Sequence, residues 1–199
     1  NILGCLDRPT SGKFFLDGDE VGSLSPDEWA QIRNRRIGFV FQSYNLFPLL
    51  TAAENVEYTL LLRGVAAKEA RDAALRALES VGLSDKVGIY PRKLSGGQQQ
   101  RVAVARALAS RAEIVFADEP TANLDSKTAF QLIDLFEQLN QEEGLSFFFS
   151  THDSRLVNRA HEKLIMEDGQ LVERPEADSG LSLGAASSPS NREKHDGIQ

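Results

Sequence analysis

Leu94 to Glu119 reads LSGGQQQRVAVARALASRAEIVFADE, and this stretch decides the fold. Val102, Ala105 and Leu108 recur at helical spacing, which predicts a helix over Gly97 to Ser110. Ile114 to Ala117 is wholly apolar and too short for a helix, so it reads as a buried strand. That strand runs into Asp118 and Glu119. In a parallel sheet, ligands bind outside the carboxyl ends of the strands. Asp118 would lie at that edge, able to hold Mg²⁺ directly or through water, and Glu119 one step further out, able to polarise a water. Taken alone, the pair is equally an acidic loop. Upstream, Gly96 and Gly97 ahead of a helix let backbone N–H groups approach an anion, and Ser95 adds a hydroxyl donor. The bland reading of that pentapeptide is a loop with a helix start.

On both sides of this stretch, apolar strands alternate with helices. Ile37 to Phe41 and Leu145 to Ser150 read as further buried strands, and Ser126 to Gln141 as a helix. Two helix starts are explicit. Ser25-Pro26-Asp27-Glu28 combines a cap, a proline at the first helical position and a capping box. Thr51-Ala52-Ala53-Glu54 is a second capping box, opening a helix that Gly64 ends. Lys68 to Val81 is amphipathic, with Ala70, Ala74, Leu75 and Leu78 on one side. Asn1 to Leu6 reads as a helix end, Lys13 to Leu16 as a short strand, and Lys163 to Glu173 as a hairpin around Asp168-Gly169. The expected fold is α/β, with a mostly parallel sheet, an antiparallel flank and a helical subdomain inserted at roughly residues 51–92.

Composition narrows the function. The 199 residues are 41% apolar and 26% charged, enough for one soluble domain over residues 1–174. The net charge of −7 argues against a general nucleic-acid binder. The single cysteine, Cys5, excludes an intramolecular disulfide and suits a reducing compartment. No apolar run approaches the ~20 residues needed to span a bilayer, so any membrane role is expected to run through a partner. The Ser-, Ala- and Gly-rich tail over residues 175–199 is expected to be disordered.

Leu94 to Gln98 resembles, residue for residue, the signature of the ABC ATPases. Ile114 to Asp118 resembles their Walker B strand, with Glu119 in the catalytic glutamate position. Gln42 matches the Q-loop glutamine, Leu124-Asp125 the D-loop, and His152 the switch histidine. A lone Gln or His after a strand is ordinarily polar surface, but five motifs in family order outweigh that reading. His161 matches nothing and reads as surface. Leu3 to Gly12, Phe39 to Gln42, Asn45 to Pro48 and Thr51 to Val56 resemble the lipoprotein-releasing and macrolide-exporting branch. Ala122 stands where that branch carries a glycine.

The resemblance implies an ATPase at the cytoplasmic face of a bacterial inner membrane, working as a head-to-tail dimer with two ATP molecules at the interface. It implies Ser95, Gly96, Gly97 and Gln98 as the contact to a neighbour's ATP, and Glu119 as general base. Gln42 and Asp118 would serve Mg²⁺, His152 the γ-phosphate, and Asp125 the dimer contact. A permease would dock near Gln42 to Leu50. Soluble ABC proteins of repair, chromosome or translation type are the alternative. The short helical segment Thr51 to Tyr90, without sustained heptads, argues against the long coiled coils of the first two.

The phosphate-loop pattern G-x-x-x-x-G-K-[ST] fails at Gly12-Lys13, because Asp7 holds the first glycine position and Phe14 follows the lysine. The resemblance places that loop a few positions before Asn1. This polypeptide by itself is therefore expected to bind and hydrolyse little ATP, whereas the full-length protein does both. A phosphate-release assay on the 199 residues checks this.

Overall fold

The computed structural model describes residues 1–173, so the expectation for the tail at residues 175–199 lies outside the described residues. The chain divides into two compact units, Asn1–Arg159 and a second from Ala160 onward.

In the first unit, three strands form a parallel sheet: β3 (Ile37–Val40), β4 (Ile114–Asp118) and β5 (Ser146–Ser150), in that spatial order. Ile37 pairs with Ile114, and Ile114 with Ser146, so the three carboxyl ends finish nearly level. Side chains alternate across the pleat. Val40, Val115 and Ala117 join a large buried cluster with Leu78, Leu132, Phe136 and Leu139. On the other face, Phe39, Ile114 and Phe116 pack against a smaller cluster of Cys5, Val21, Trp29 and Ile37. Gly38 has a steric reason: a Cβ there would meet Val115 at 3.0 Å and Ala107 at 3.1 Å. The missing side chain lets the helix after Ser95 close on the sheet.

Both anticipated capping boxes form. Ser25 Oγ accepts from the Glu28 N–H, and the Glu28 carboxylate accepts from the Ser25 N–H at 2.8 Å, opening α1 (Pro26–Arg36). Thr51 and Glu54 do the same for α2 (Ala52–Leu62), which ends before Gly64 at φ 79°. Trp29 is buried, its indole N–H donating to the Val21 carbonyl at 2.6 Å. In α3 (Ala67–Ser80) the buried residues are Ala70, Ala74, Ala77 and Leu78. Leu75 is on the rim instead, 36% exposed, and Ala77 completes the buried face. Two 3₁₀ turns, Ser84–Lys86 and Pro91–Lys93, lead to α4 (Gly96–Ala109), and α5 (Ser126–Glu143) joins β4 to β5.

One local expectation changes, and two short elements are additional. Asn1 to Leu6 is a run of turns rather than a helix end; Cys5 at φ 54° takes a left-handed backbone there. The first short strand, β1 (Phe15–Leu16), pairs antiparallel with β2 (Asp19–Glu20), which carries too few residues to show a pattern. A four-residue helix, α6 (Ser154–Val157), follows β5 for the same reason unannounced.

In the second unit, β6 (Ile165–Glu167) and β7 (Gln170–Glu173) form an antiparallel hairpin. Asp168 (φ 47°) and Gly169 (φ 79°) make the left-handed turn that a two-residue hairpin loop needs. Among the described residues, no helix is long and apolar enough to cross a membrane.

Candidate active site at the carboxyl edge of the parallel sheet

The level carboxyl ends of β3, β4 and β5 bring Gln42, Asp118, Glu119, Thr151 and His152 to one edge. Asp118 is the last residue of β4, exposed, and paired in register with Ser150. Ladder pairing continues one step, because the Glu119 N–H donates to the Ser150 carbonyl at 2.9 Å. Glu119 adopts φ 44°, a left-handed conformation costing a non-glycine residue roughly 1–3 kcal/mol. The turn swings its carboxylate back over the end of β5.

Three donors meet that carboxylate. Thr151 Oγ donates to Oε2 at 3.0 Å, the His152 N–H donates to Oε1 at 3.3 Å, and His152 Nδ1 lies 2.6 Å from Oε1. With Glu119 ionised, Nδ1 is the donor in this contact. The Glu119 side chain is 23% exposed and that of His152 is 87% exposed, so the acid is partly enclosed while the imidazole stands in solvent.

Sequence reasoning missed the layer behind this edge. Thr121 is 1% exposed and donates its hydroxyl to Asp153 Oδ2 at 2.6 Å. Arg155 grips the same carboxylate through Nε and Nη2 at 2.9 and 2.7 Å. The Arg155 hydrogen bonds, with that of Thr121, hold the Asp153 carboxyl well below the usual carboxylate range. The Asp153 N–H in turn donates to Thr151 Oγ at 3.0 Å. Thr121 and Asp153 are 32 positions apart, and no local pattern announces their contact.

The second half of the site surrounds the start of α4. Ser95 is its N-cap, and the sequence signal that would have found this is S-x-x-Q. Ser95 Oγ accepts from the Gln98 N–H at 3.3 Å, and Gln98 Oε1 accepts from the Ser95 N–H at 3.0 Å. The capping role uses the hydroxyl as acceptor, leaving its proton available to donate. Gly96 and Gly97 N–H lie in the first turn, where the helix itself provides no acceptor. A Cβ on Gly97 would run into the Thr128 methyl, and one on Gly96 would meet the Tyr44 hydroxyl at 2.8 Å. Asp125, exposed, caps α5. It accepts from the Thr128 N–H and hydroxyl, which lowers its pKa. Asp125, Thr128 and Gly97 thus form one corner.

A model of the ABC transporter family matches residues 1–122. The chain belongs to that family. The ATP-binding cassette MJ0796, solved as a dimer in a post-hydrolysis state with ADP and Pi, has 41% identity and a TM-score of 0.80 over 90% of this chain and 79% of that one. The lipoprotein-releasing system ATP-binding protein LolD 1 of Chlorobium chlorochromatii is 45% identical over 86% of this chain and 70% of its own length. The macrolide export ATP-binding/permease protein MacB of Syntrophobacter fumaroxidans is 47% identical over 86% of this chain, which spans only 24% of that protein. Membership of an ABC ATPase family makes this an ATP-binding domain of the ATP-hydrolysing kind, and the parallel sheet is that of the ABC cassette.

The loop that follows β3 is braced from three sides. Tyr44 (φ 61°) and Asn45 (φ 48°) turn the chain after β3, and both their carbonyls accept from Arg106 of α4, at 3.3 and 2.6 Å. The Asn123 amide donates to the Gln42 carbonyl at 3.1 Å. Asn55, fully buried in α2, accepts from the Phe47 N–H and donates to the Phe47, Leu50 and Thr51 carbonyls. This pins the Phe47–Thr51 loop. Leu46 packs inward, whereas Phe47 and Leu49 stay exposed, 44% and 86%. Phe47 meets Tyr58 edge-on at 4.8 Å.

Proposed function

We propose that this cassette powers export or lipoprotein release through a membrane permease, with Glu119 as the general base of ATP hydrolysis. The observation that carries the reading is the Glu119 carboxylate, turned over the end of β5 and ringed by Thr151 and His152. A carboxylate accepts about four hydrogen bonds. Three positions are filled, and the fourth, on Oε2, is left for a water. Glu119 takes a proton from that water as its oxygen bonds to the γ-phosphorus. The bond to the β–γ bridging oxygen breaks, giving ADP and phosphate. His152 turns its exposed imidazole to the γ-phosphate.

Asp118 and the Gln42 amide oxygen are the groups that would hold Mg²⁺. Oxygen donors few in number suit this cation, which keeps several waters and leans on substrate phosphates. When bound, the ion would neutralise charge on the β- and γ-phosphates.

Ser95, Gly96, Gly97 and Gln98 would face the ATP of a second ATPase subunit in a head-to-tail dimer. The free first-turn N–H groups and the Ser95 proton support this. Asp125 would carry the contact across the dimer. The dimeric MJ0796 cassette supports this assembly. The permease would dock at Gln42 to Leu50, on the cytoplasmic face of a bacterial inner membrane; exposed Phe47 and Leu49 support this. The fusion of ATP-binding and permease parts named for the MacB relative points the same way. The helical subdomain would run over residues 51–92, where α2, α3 and the 3₁₀ turns lie. That short segment does not favour a soluble repair protein.

Phosphate release by the full-length cassette, with and without Glu119→Gln, tests the chemistry. Turnover unchanged by that substitution would remove Glu119 from the role. Co-purification with a co-expressed permease, lost on Leu49→Asp, tests the docking surface.

A further inference from the structure

We propose that Thr151 is a positioning residue for hydrolysis, fixing the direction of the one lone pair that Glu119 leaves for water. The inference rests on the reading of Glu119 as general base. Oε1 receives both His152 donors, and Oε2 receives only Thr151, at 3.0 Å. The open position is therefore on the oxygen that Thr151 holds, and the Thr151 hydroxyl sets where that position points.

The hydroxyl has one proton, and its direction is determined. The Asp153 N–H occupies a lone pair of Thr151 Oγ at 3.0 Å, which commits the proton to Glu119. Asp153 is itself immobilised by Arg155 and by the buried Thr121, which lies between β4 and the Asp125 corner. A continuous hydrogen-bonded chain thus runs Thr121, Asp153, Thr151, Glu119.

The contrast with His152 gives the chain its purpose. The imidazole is 87% exposed, and turning Nδ1 toward a phosphate would take it off Oε1. When it leaves, Glu119 loses its strongest side-chain donor. Thr151, partly buried and braced from behind, is the side-chain donor that stays. A general base must hold near-attack geometry while its neighbour moves, and a misplacement on the order of 1 Å costs about 10²-fold.

The experiment uses the full-length cassette dimer. Glu119→Gln is measured first; a parent without turnover, or turnover unaffected by this change, defeats the general-base reading itself. With that reading standing, Thr151→Val, nearly isosteric but without the hydroxyl, is expected to lower kcat roughly 10- to 100-fold. The KM for ATP stays within about twofold, because ATP binding is untouched. The ATP-bound dimer then accumulates on size exclusion. Thr151→Ser, which keeps the hydroxyl, is expected to restore turnover. Thr121→Val, one link further back and independent of the strand end, is expected to lower kcat by a smaller factor. The proposal is overturned if Thr151→Val turns over like the parent, or if Thr151→Ser is as slow as Thr151→Val. It is also overturned if the change appears in KM alone. Should Thr151→Val not fold, parent-like kcat in both Thr151→Ser and Thr151→Ala would overturn it, and loss in Ala alone would support it.

Discussion

The two halves of the site are built differently. At the carboxyl edge, side chains satisfy one another: Thr121, Asp153, Arg155, Thr151 and His152 all bond, directly or in sequence, toward Glu119. At the α4 corner, Ser95 and Gln98 bond only each other's backbone N–H, and the next donors are backbone groups of two glycines. The first half carries its own chemistry and needs a substrate placed against it. In the proposed dimer, the second half presents its donors to an acceptor on the other subunit. The proposed head-to-tail dimer would benefit from that division. A half-site without a competing internal acceptor binds in trans at little reorganisation cost, while a pre-arranged base acts as soon as the site closes.

Four substitutions break or sharpen this contrast. The largest effect belongs to the carboxyl edge: Glu119→Gln is expected to lower kcat about 10²- to 10⁴-fold in the full-length cassette, read by phosphate release. If the contrast holds, it leaves melting temperature nearly unchanged. Gly97→Ala should act the other way. Its methyl group collides with Thr128, so destabilisation of roughly 1–3 kcal/mol is expected in urea titration, with ATP-dependent dimerisation weakened as well. A Gly97→Ala protein as stable as the parent would mean the corner is soft.

Asp153→Asn comes next, at about 1 kcal/mol near neutral pH. Its sign with pH follows from the lowered carboxyl. The stabilisation by Asp153 is full above the ordinary aspartate range near pH 4 and is lost as pH falls toward the lowered value. Parent and variant melting curves should therefore converge in acid; a gap that widens there would contradict the Arg155 and Thr121 assignment. The smallest effect separates cap from donor. Ser95→Gly keeps a permissive cap and costs only a few tenths of a kcal/mol, yet it removes the hydroxyl proton proposed to reach the neighbouring subunit's ATP. Dimerisation loss without a stability loss is the expected pattern, measured by light scattering with ATP beside thermal melting.

Legibility in the sequence follows the range of the interaction. Ser25-x-x-Glu28 and Thr51-x-x-Glu54 were readable because both partners of a capping box lie within one turn. Ser95-x-x-Gln98 has the same form, but the glycines between carry an anion-site pattern as well. Ile114 to Ala117 is readable because an inner strand of a covered parallel sheet is apolar throughout. The Thr121–Asp153 bond, the Arg106 grip on the Q-loop at a separation of 61 residues, and Asn55's hold on the Phe47–Thr51 loop left no comparable trace. A single polar residue whose partner is a distant side chain or a backbone group leaves no sequence pattern.

By itself, then, the sequence determined the parallel α/β fold and the family, and it nominated Gln42, Ser95 to Gln98, Asp118, Glu119, Asp125 and His152 as the candidate site. Each is fixed by a local motif or by the apolar character of its strand. Only the tertiary structure decided that β3, β4 and β5 end level, and that Glu119 turns back with φ 44° over Thr151. It alone placed Gly97 against Thr128. Those arrangements depend on packing between elements far apart in the chain, where contact geometry rather than residue pattern sets which groups meet.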